Sequence, residues 1–182
     1  MADDTTPPDK QETTVPYSGE SFDVCREIVA GDHEEFAVEY LDTDDAVTVI
    51  AFTPDDRVLV VEEWRQSVDR FDIGLPGGQL EADDADPAEA ASRELREETG
   101  YEADRLIPMQ SFEPLNSLLN TTIHLFVAEG CQPTGTRDPD VDEQIRVRTE
   151  PLETLIAQIH DGTIIDMKTA VTLLYYDSTY DV

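Results

Sequence analysis

Residues 75–101 read LPGGQLEADDADPAEAASRELREETGY, and this stretch holds both the best-specified helix and the densest chemistry of the chain. Asp86-Pro87 starts the helix. An Asp side chain can accept from the first free backbone N–H groups, and Pro fits the first helical position because an N–H there would have no partner. Glu89, three residues after Asp86, stands in capping-box position. Gly100 suits the left-handed residue that ends a helix. The spacing therefore predicts one helix over 86–100, with Ala88, Ala91 and Leu95 on a face that can dock against a sheet. Glu94 and Glu98 are i,i+4 neighbours and Glu97 is three residues from Glu94, so three carboxylates leave one side of the helix. Arg93, four residues before Glu97, can pair with it.

Like charges at this spacing cost an isolated helix a few tenths of a kcal/mol, and more when partly desolvated. A cation among them removes that cost, and hard divalent ions such as Mg²⁺ take carboxylate oxygens, water and substrate phosphate as ligands. A chain with 42 acidic residues also makes Glu-Glu pairs on solvated faces by chance. The string REL-x-EETG, however, is expected from this composition only about 10⁻⁶ to 10⁻⁵ times per sequence. Before it, Gly77-Gly78 forms a turn where backbone can approach a ligand closely.

Outward from this stretch the chain alternates in strand-like pieces. Phe22–Ala30, Glu35–Leu41, Ala46–Phe52 and Val58–Trp64 precede it, and Thr53-Pro-Asp-Asp-Arg57 reads as a hairpin turn between the last two. Arg105–Phe112, Thr122–Ala128 and Gln144–Arg148 follow as strands, with a long acidic loop at Gly130–Asp142. Leu152–His160 and Asp166–Tyr176 repeat apolar residues at helical spacing. Strands first, one helix in the middle and two at the end predict an α+β layered domain with a mixed sheet. Residues 1–17, polar and with three prolines, read as a flexible acidic tail before a domain over 18–182.

The formal charge is −30, from 42 Asp or Glu against 12 Lys or Arg. Such a surface repels nucleic acid and anionic membranes, so neither is an expected partner. It reads as a solvating shell for a salty, halophile-like cytoplasm, where screening shrinks the repulsion between carboxylates. The melting temperature is accordingly expected to rise steeply from dilute buffer to molar KCl; a flat profile removes this reading. Two cysteines, Cys25 and Cys131, cannot form a disulfide framework and lack metal-site spacing. No signal-peptide pattern and no long apolar run is visible, which points to a cytoplasmic protein.

The stretch LPGGQLEADDADPAEAASRELREETGY resembles the box of the Nudix hydrolase family. That pattern runs Gly, five residues, Glu, seven residues, then Arg-Glu-apolar-x-Glu-Glu-x-Gly-apolar. Gly78 matches its opening, and Arg93, Glu94, Leu95, Glu97, Glu98, Gly100 and Tyr101 match its close. The middle departs from it: Asp84 stands where the family has Glu, and eight residues separate it from Arg93, so one residue is inserted in the loop Glu81–Asp86. Similarity to the ADP-ribose pyrophosphatase branch extends over about residues 20–178, through VLVVEEWRQSVDRF, DEQIRVR and GTIIDMKTAVTLLYY. Gly74 precedes Leu75-Pro76 where that branch often has Glu.

The resemblance implies an α/β/α sandwich with a mixed central β-sheet and a Mg²⁺-dependent hydrolase, with Mn²⁺ as a substitute. Its substrate would be a nucleoside diphosphate linked to another group, ADP-ribose being the favoured example. Glu94, Glu97, Glu98, the Gly77 carbonyl and the distal Glu143 would hold metal. Glu98 or Glu143 would take the proton of the attacking water, and Arg93 would fix Glu97. Arg65, Gly78 and Glu81 would meet the substrate, although a surface ion pair serves equally well as a reading of Arg65. Residues 18–42 would supply strands to a homodimer interface. The alternative is a Nudix-like module that senses a nucleotide without cleaving it. The remaining acids around Asp138–Asp142 read as a solvated loop, and none of His33, His124, His160, Cys25 and Cys131 has a neighbour that would make it catalytic.

Overall fold

The computed structural model describes residues 9–31, 34–135 and 145–180 and divides into two compact units. The first holds the described residues up to Asp44 together with Leu115–Thr121. Its three strands, β1 (Lys10–Ser18), β2 (Asp23–Ala30) and β3 (Glu35–Asp42), form an antiparallel sheet with β2 in the middle. Lys10–Ser18 is thus a strand and not part of a flexible tail. Its nine side chains are all exposed, so no alternation of apolar residues betrays it. Edge position also explains how Pro16 is tolerated, at a register shift between Thr14 and Tyr17 where a ladder N–H is dispensable. Inside this unit Glu27 is buried, and Lys10 Nζ (2.8 Å) and Tyr40 OH (3.0 Å) both donate to it.

The second unit comprises Asp45–Pro114 and the described residues from Thr122 onward. One sheet has β9 (Ile123–Glu129) between β4 (Ala46–Ala51), which runs parallel to it, and β8 (Arg105–Phe112), which runs antiparallel. The other has β5 (Val58–Arg65) between β11 (Ile145–Glu150) and β6 (Arg70–Gly74), all antiparallel. β7 (Tyr101–Glu102) and β10 (Gln132–Pro133) make a short extra pair. The expected β4–β5 hairpin is therefore corrected. Thr53–Arg57 is a tight turn, with Thr53 N donating to Arg57 O at 2.9 Å, but beyond the single bridge Phe52–Val58 the two strands enter different sheets. Both are wholly or largely buried: β5 is paired with a strand on each side, and β4 pairs with β9 on one side and bonds to the Pro76–Gly78 turn on the other.

Period-2 alternation sorts the core into two layers. Val47, Val49, Ala51, Leu59, Phe126 and Ala128 pack on Ala90, Ala91 and Leu95 of the box helix. Ile50, Val58, Val60 and Val127 pack instead on Leu152 and Leu155 of α2 (Leu152–His160), on Ile164, and on Leu173 of α3 (Met167–Thr179). Helices thus cover both faces of the β layer, the α+β sandwich expected from the resemblance. Small Ala90 and Ala91 let the box helix approach closely, which fixes its height over the sheet. Among the described residues no helix is long and apolar enough to cross a membrane.

Candidate active site

The box helix begins as its sequence requires. In α1 (Pro87–Glu94) the Asp86 side chain accepts from Ala88 N (2.9 Å) and Glu89 N (3.0 Å), and Glu89 accepts from Ala85 N at 2.7 Å. Beyond Glu94 the helix does not stay α. Leu95–Thr99 forms a π turn that ends at Gly100, whose φ of 73° only glycine adopts cheaply. The Thr99 hydroxyl bonds back to the Leu95 carbonyl inside that turn. A widened turn shifts the side chains that follow it, and such turns recur at functional sites.

Two of the three box carboxylates converge on the glycine turn. Glu98 is 3% exposed, and its Oε2 accepts from Gly77 N at 3.0 Å. Glu94, also buried, fills the space beside Gly78. A Cβ on Gly78 would lie 2.3 Å from Glu94 Oε1, so only glycine leaves room for that carboxylate. The turn itself is held on the sheet edge, with Val47 N donating to Gly78 O and Val49 N to Pro76 O, each at 2.9 Å.

Arg93 organises the acidic cluster. Its Nε and Nη2 form a two-pronged pair with Asp84 (3.2 and 2.9 Å), Nη2 also donates to Gln79 O (3.0 Å), and Nη1 reaches Glu94 (2.8 Å), Glu97 (3.3 Å) and Glu81 (3.2 Å). The hydrogen bond from Arg93 holds the Asp84 carboxyl below the usual carboxylate range, and the same bond raises the Arg93 guanidinium. Asp84 was set apart in the sequence by the inserted residue. The insertion loops out around it, with Asp84 N bonded to Glu81 O and Glu81 N to Asp84 Oδ2, and returns its carboxylate to the arginine. Asp84 is thus the residue that the spacing left unassigned, and the acid six residues after Gly78 was its signal.

Gly77, Gly78, Glu81, Arg93, Glu94, Glu97 and Glu98 therefore share one cluster. Glu143 lies outside the described residues. Arg65 lines, with Gly74 and Leu75, a cavity of about 290 Å³ and is paired with the buried Glu63 at 2.7 Å. Arg70 and Lys168 line the same cavity. Neither was singled out in the sequence, although Lys168 is one of only two lysines. The histidines and cysteines stand apart from this chemistry. His124 meets Ser111 Oγ (2.9 Å) and Asp45 (3.5 Å), and burial pushes the Cys131 thiol up to about 12, where it stays protonated. His33 is outside the described residues.

The donors in the cluster are all oxygens, which suits a hard divalent cation. Burying two carboxylates four residues apart is costly, and a bound cation would offset the cost. Among the described residues no three such side chains already enclose one point, since Glu97 is drawn to Arg93 and Arg96.

Known proteins resemble this chain in sequence and in fold. A model described as the NUDIX domain matches residues 42–168. The methanol dehydrogenase activator of Bacillus methanolicus is 33% identical over 131 residues, 71% of this chain and 70% of that protein. The ADP-ribose pyrophosphatase of Bacillus subtilis (strain 168) is 31% identical over the same length and the same shares. Among solved structures, one described as an ADP compounds hydrolase superposes with a TM-score of 0.82 over 96% of this chain and 97% of that one. At 18% identity it shares the fold.

Proposed function

The chain belongs to the Nudix family of pyrophosphohydrolases, and from that premise we propose that it hydrolyses ADP-ribose to AMP and ribose 5-phosphate with Mg²⁺. The observation that carries this reading is the convergence of buried Glu94 and Glu98 on Gly77-Gly78, beside the ion pair of Arg93 with Asp84. A sensing module has no need to bury two like charges against a glycine turn. The similarity to the B. subtilis pyrophosphatase supports the choice of ADP-ribose.

Glu94, Glu98 and the Gly77 carbonyl would hold the metal, joined by Glu97 and Glu143. When bound, the ion would neutralise charge developing on the pyrophosphate and lower the pKa of a water. The chain's own groups supply the rest. The Gly77 N–H fixes one oxygen of Glu98, and the Glu98 carboxylate would orient a water and accept its proton, a role that Glu143 would share. Arg93 keeps Glu94 and Glu97 on the reacting side of the helix. Arg65, steadied by Glu63, would hold a phosphate oxygen.

A screen of ADP-ribose, NADH, sugar nucleotides, dinucleoside polyphosphates and nucleoside triphosphates with Mg²⁺ tests the substrate. ADP-ribose is expected to show the highest kcat/KM. A clear preference for another compound overturns the substrate, and no phosphomonoester from any of them overturns the activity.

A further inference from the structure

We propose that the cavity beside Gly74–Leu75 is the subsite for the phosphorylated sugar half of the substrate, and that the Thr48 hydroxyl binds one of its sugar hydroxyls. The inference rests on the pyrophosphatase reading and extends it to a part of the molecule outside the box. Thr48 lines the cavity on β4, is 2% exposed, and its Oγ1 has no hydrogen-bond partner among the described residues. Buried hydroxyls are ordinarily satisfied, and one that is not calls for an external partner. The neighbouring Thr169 shows the contrast: its hydroxyl accepts from Leu75 N (3.2 Å) and donates to Asp166 Oδ2 (2.7 Å).

The rest of the lining says what that partner is. In a chain with only 12 Lys and Arg, three of them, Arg65, Arg70 and Lys168, border this one cavity. They favour a phosphate. Asp72, held by Arg70, and Asp166, held through Oδ2 by Thr169, stand among them, and the lone pairs a carboxylate keeps beyond such bonds can accept from hydroxyls, which suits a sugar better than a second phosphate. No aromatic side chain lines the cavity among the described residues, so nothing there stacks a base. The volume, about 290 Å³, is at the small end of ligand sites and fits half of a dinucleotide-sized molecule. Gly74–Leu75 also leads within three residues to Gly77-Gly78, so a pyrophosphate over the glycine turn has its sugar end within reach of the cavity.

Calorimetric titration of the full chain with ribose 5-phosphate, and separately with AMP, in Mg²⁺ buffer tests the assignment. Thr48→Val keeps the side chain's shape and its preference for a strand while removing the hydroxyl. Ribose 5-phosphate is expected to bind this variant about tenfold more weakly, the value of one hydrogen bond, with AMP affinity unchanged. Thr48→Ser, which restores the hydroxyl, is expected to bind ribose 5-phosphate within about threefold of the wild type. A melting temperature for Thr48→Val at or above wild type shows that the fold is intact, since the change removes an unsatisfied buried group. Equal ribose 5-phosphate affinity in Thr48→Val and wild type overturns the proposal and leaves Thr48 bonded to water. Absence of saturable ribose 5-phosphate binding, or an equal loss for AMP, overturns it too. A protein that hydrolyses ADP-ribose normally while failing these titrations loses only the subsite; one that hydrolyses nothing loses the pyrophosphatase reading, whatever the titrations give.

Discussion

Glu98→Gln is expected to lower kcat on ADP-ribose by at least about a hundredfold, because the lost charge acts where charge develops in the transition state. The substitution isolates that charge well. Gln matches Glu in size and helix propensity, and its amide oxygen can still accept from Gly77 N, so the glycine turn stays docked. Stability without metal is expected to hold or rise, since one of two neighbouring buried carboxylates becomes neutral. Glu89→Gln is the control. Glu89 is exposed on the same helix and bonds only through an acceptor oxygen that Gln also has, so its effect should stay within about ±0.5 kcal/mol and leave kcat unchanged. Equal turnover by Glu98→Gln and wild type would reduce the box to an acidic surface.

Arg93→Met should destabilise the protein by about 3 kcal/mol at pH 7, because it strands Asp84, whose side chain is 5% exposed, and leaves Glu94 and Glu97 facing each other without their cation. Met has nearly the length of Arg, so the packing of the side-chain stem survives. The effect also has a pH signature. Asp84 has a folded-state pKa below its unfolded value of about 3.9, so its contribution is fully present above that value and is lost as pH falls through the lower one. Wild type therefore loses this stability on acidification below about pH 4, while the variant has none to lose. Urea unfolding at pH 7 and near pH 3 should show the gap between the two shrinking on acidification. A gap that is the same at both pH values would contradict the pairing of Arg93 with Asp84.

Much of the fold was legible because the deciding residues act locally. Asp86-Pro87 and Gly100 bracket the box helix by capping chemistry alone, and the near-continuous apolar runs of β4 and β9 report burial directly. What escaped has no local signal. Nothing in LREET distinguishes a π turn from an α turn, and the exposed strand Lys10–Ser18 carries no apolar pattern. Pairing partners are equally hidden: β4 and β5 look like a hairpin around Thr53–Arg57, yet each is claimed by strands far along the chain, β9 and β11. In the site, the carboxylates were readable from spacing, while the return of Asp84 to Arg93 depends on the path of a loop. Thr48 was invisible for a related reason, since a threonine inside a buried strand looks like any β-branched residue until its hydroxyl is found without a partner.

Phosphorus NMR of ADP-ribose incubated with the purified protein and Mg²⁺ watches the scissile pyrophosphate bond itself. The pyrophosphate signals are expected to give way to two phosphomonoester signals, those of AMP and ribose 5-phosphate, and chelating the metal is expected to stop the conversion. Pyrophosphate signals that persist with Mg²⁺ present, or that disappear as fast with the metal chelated, would contradict the pyrophosphatase reading.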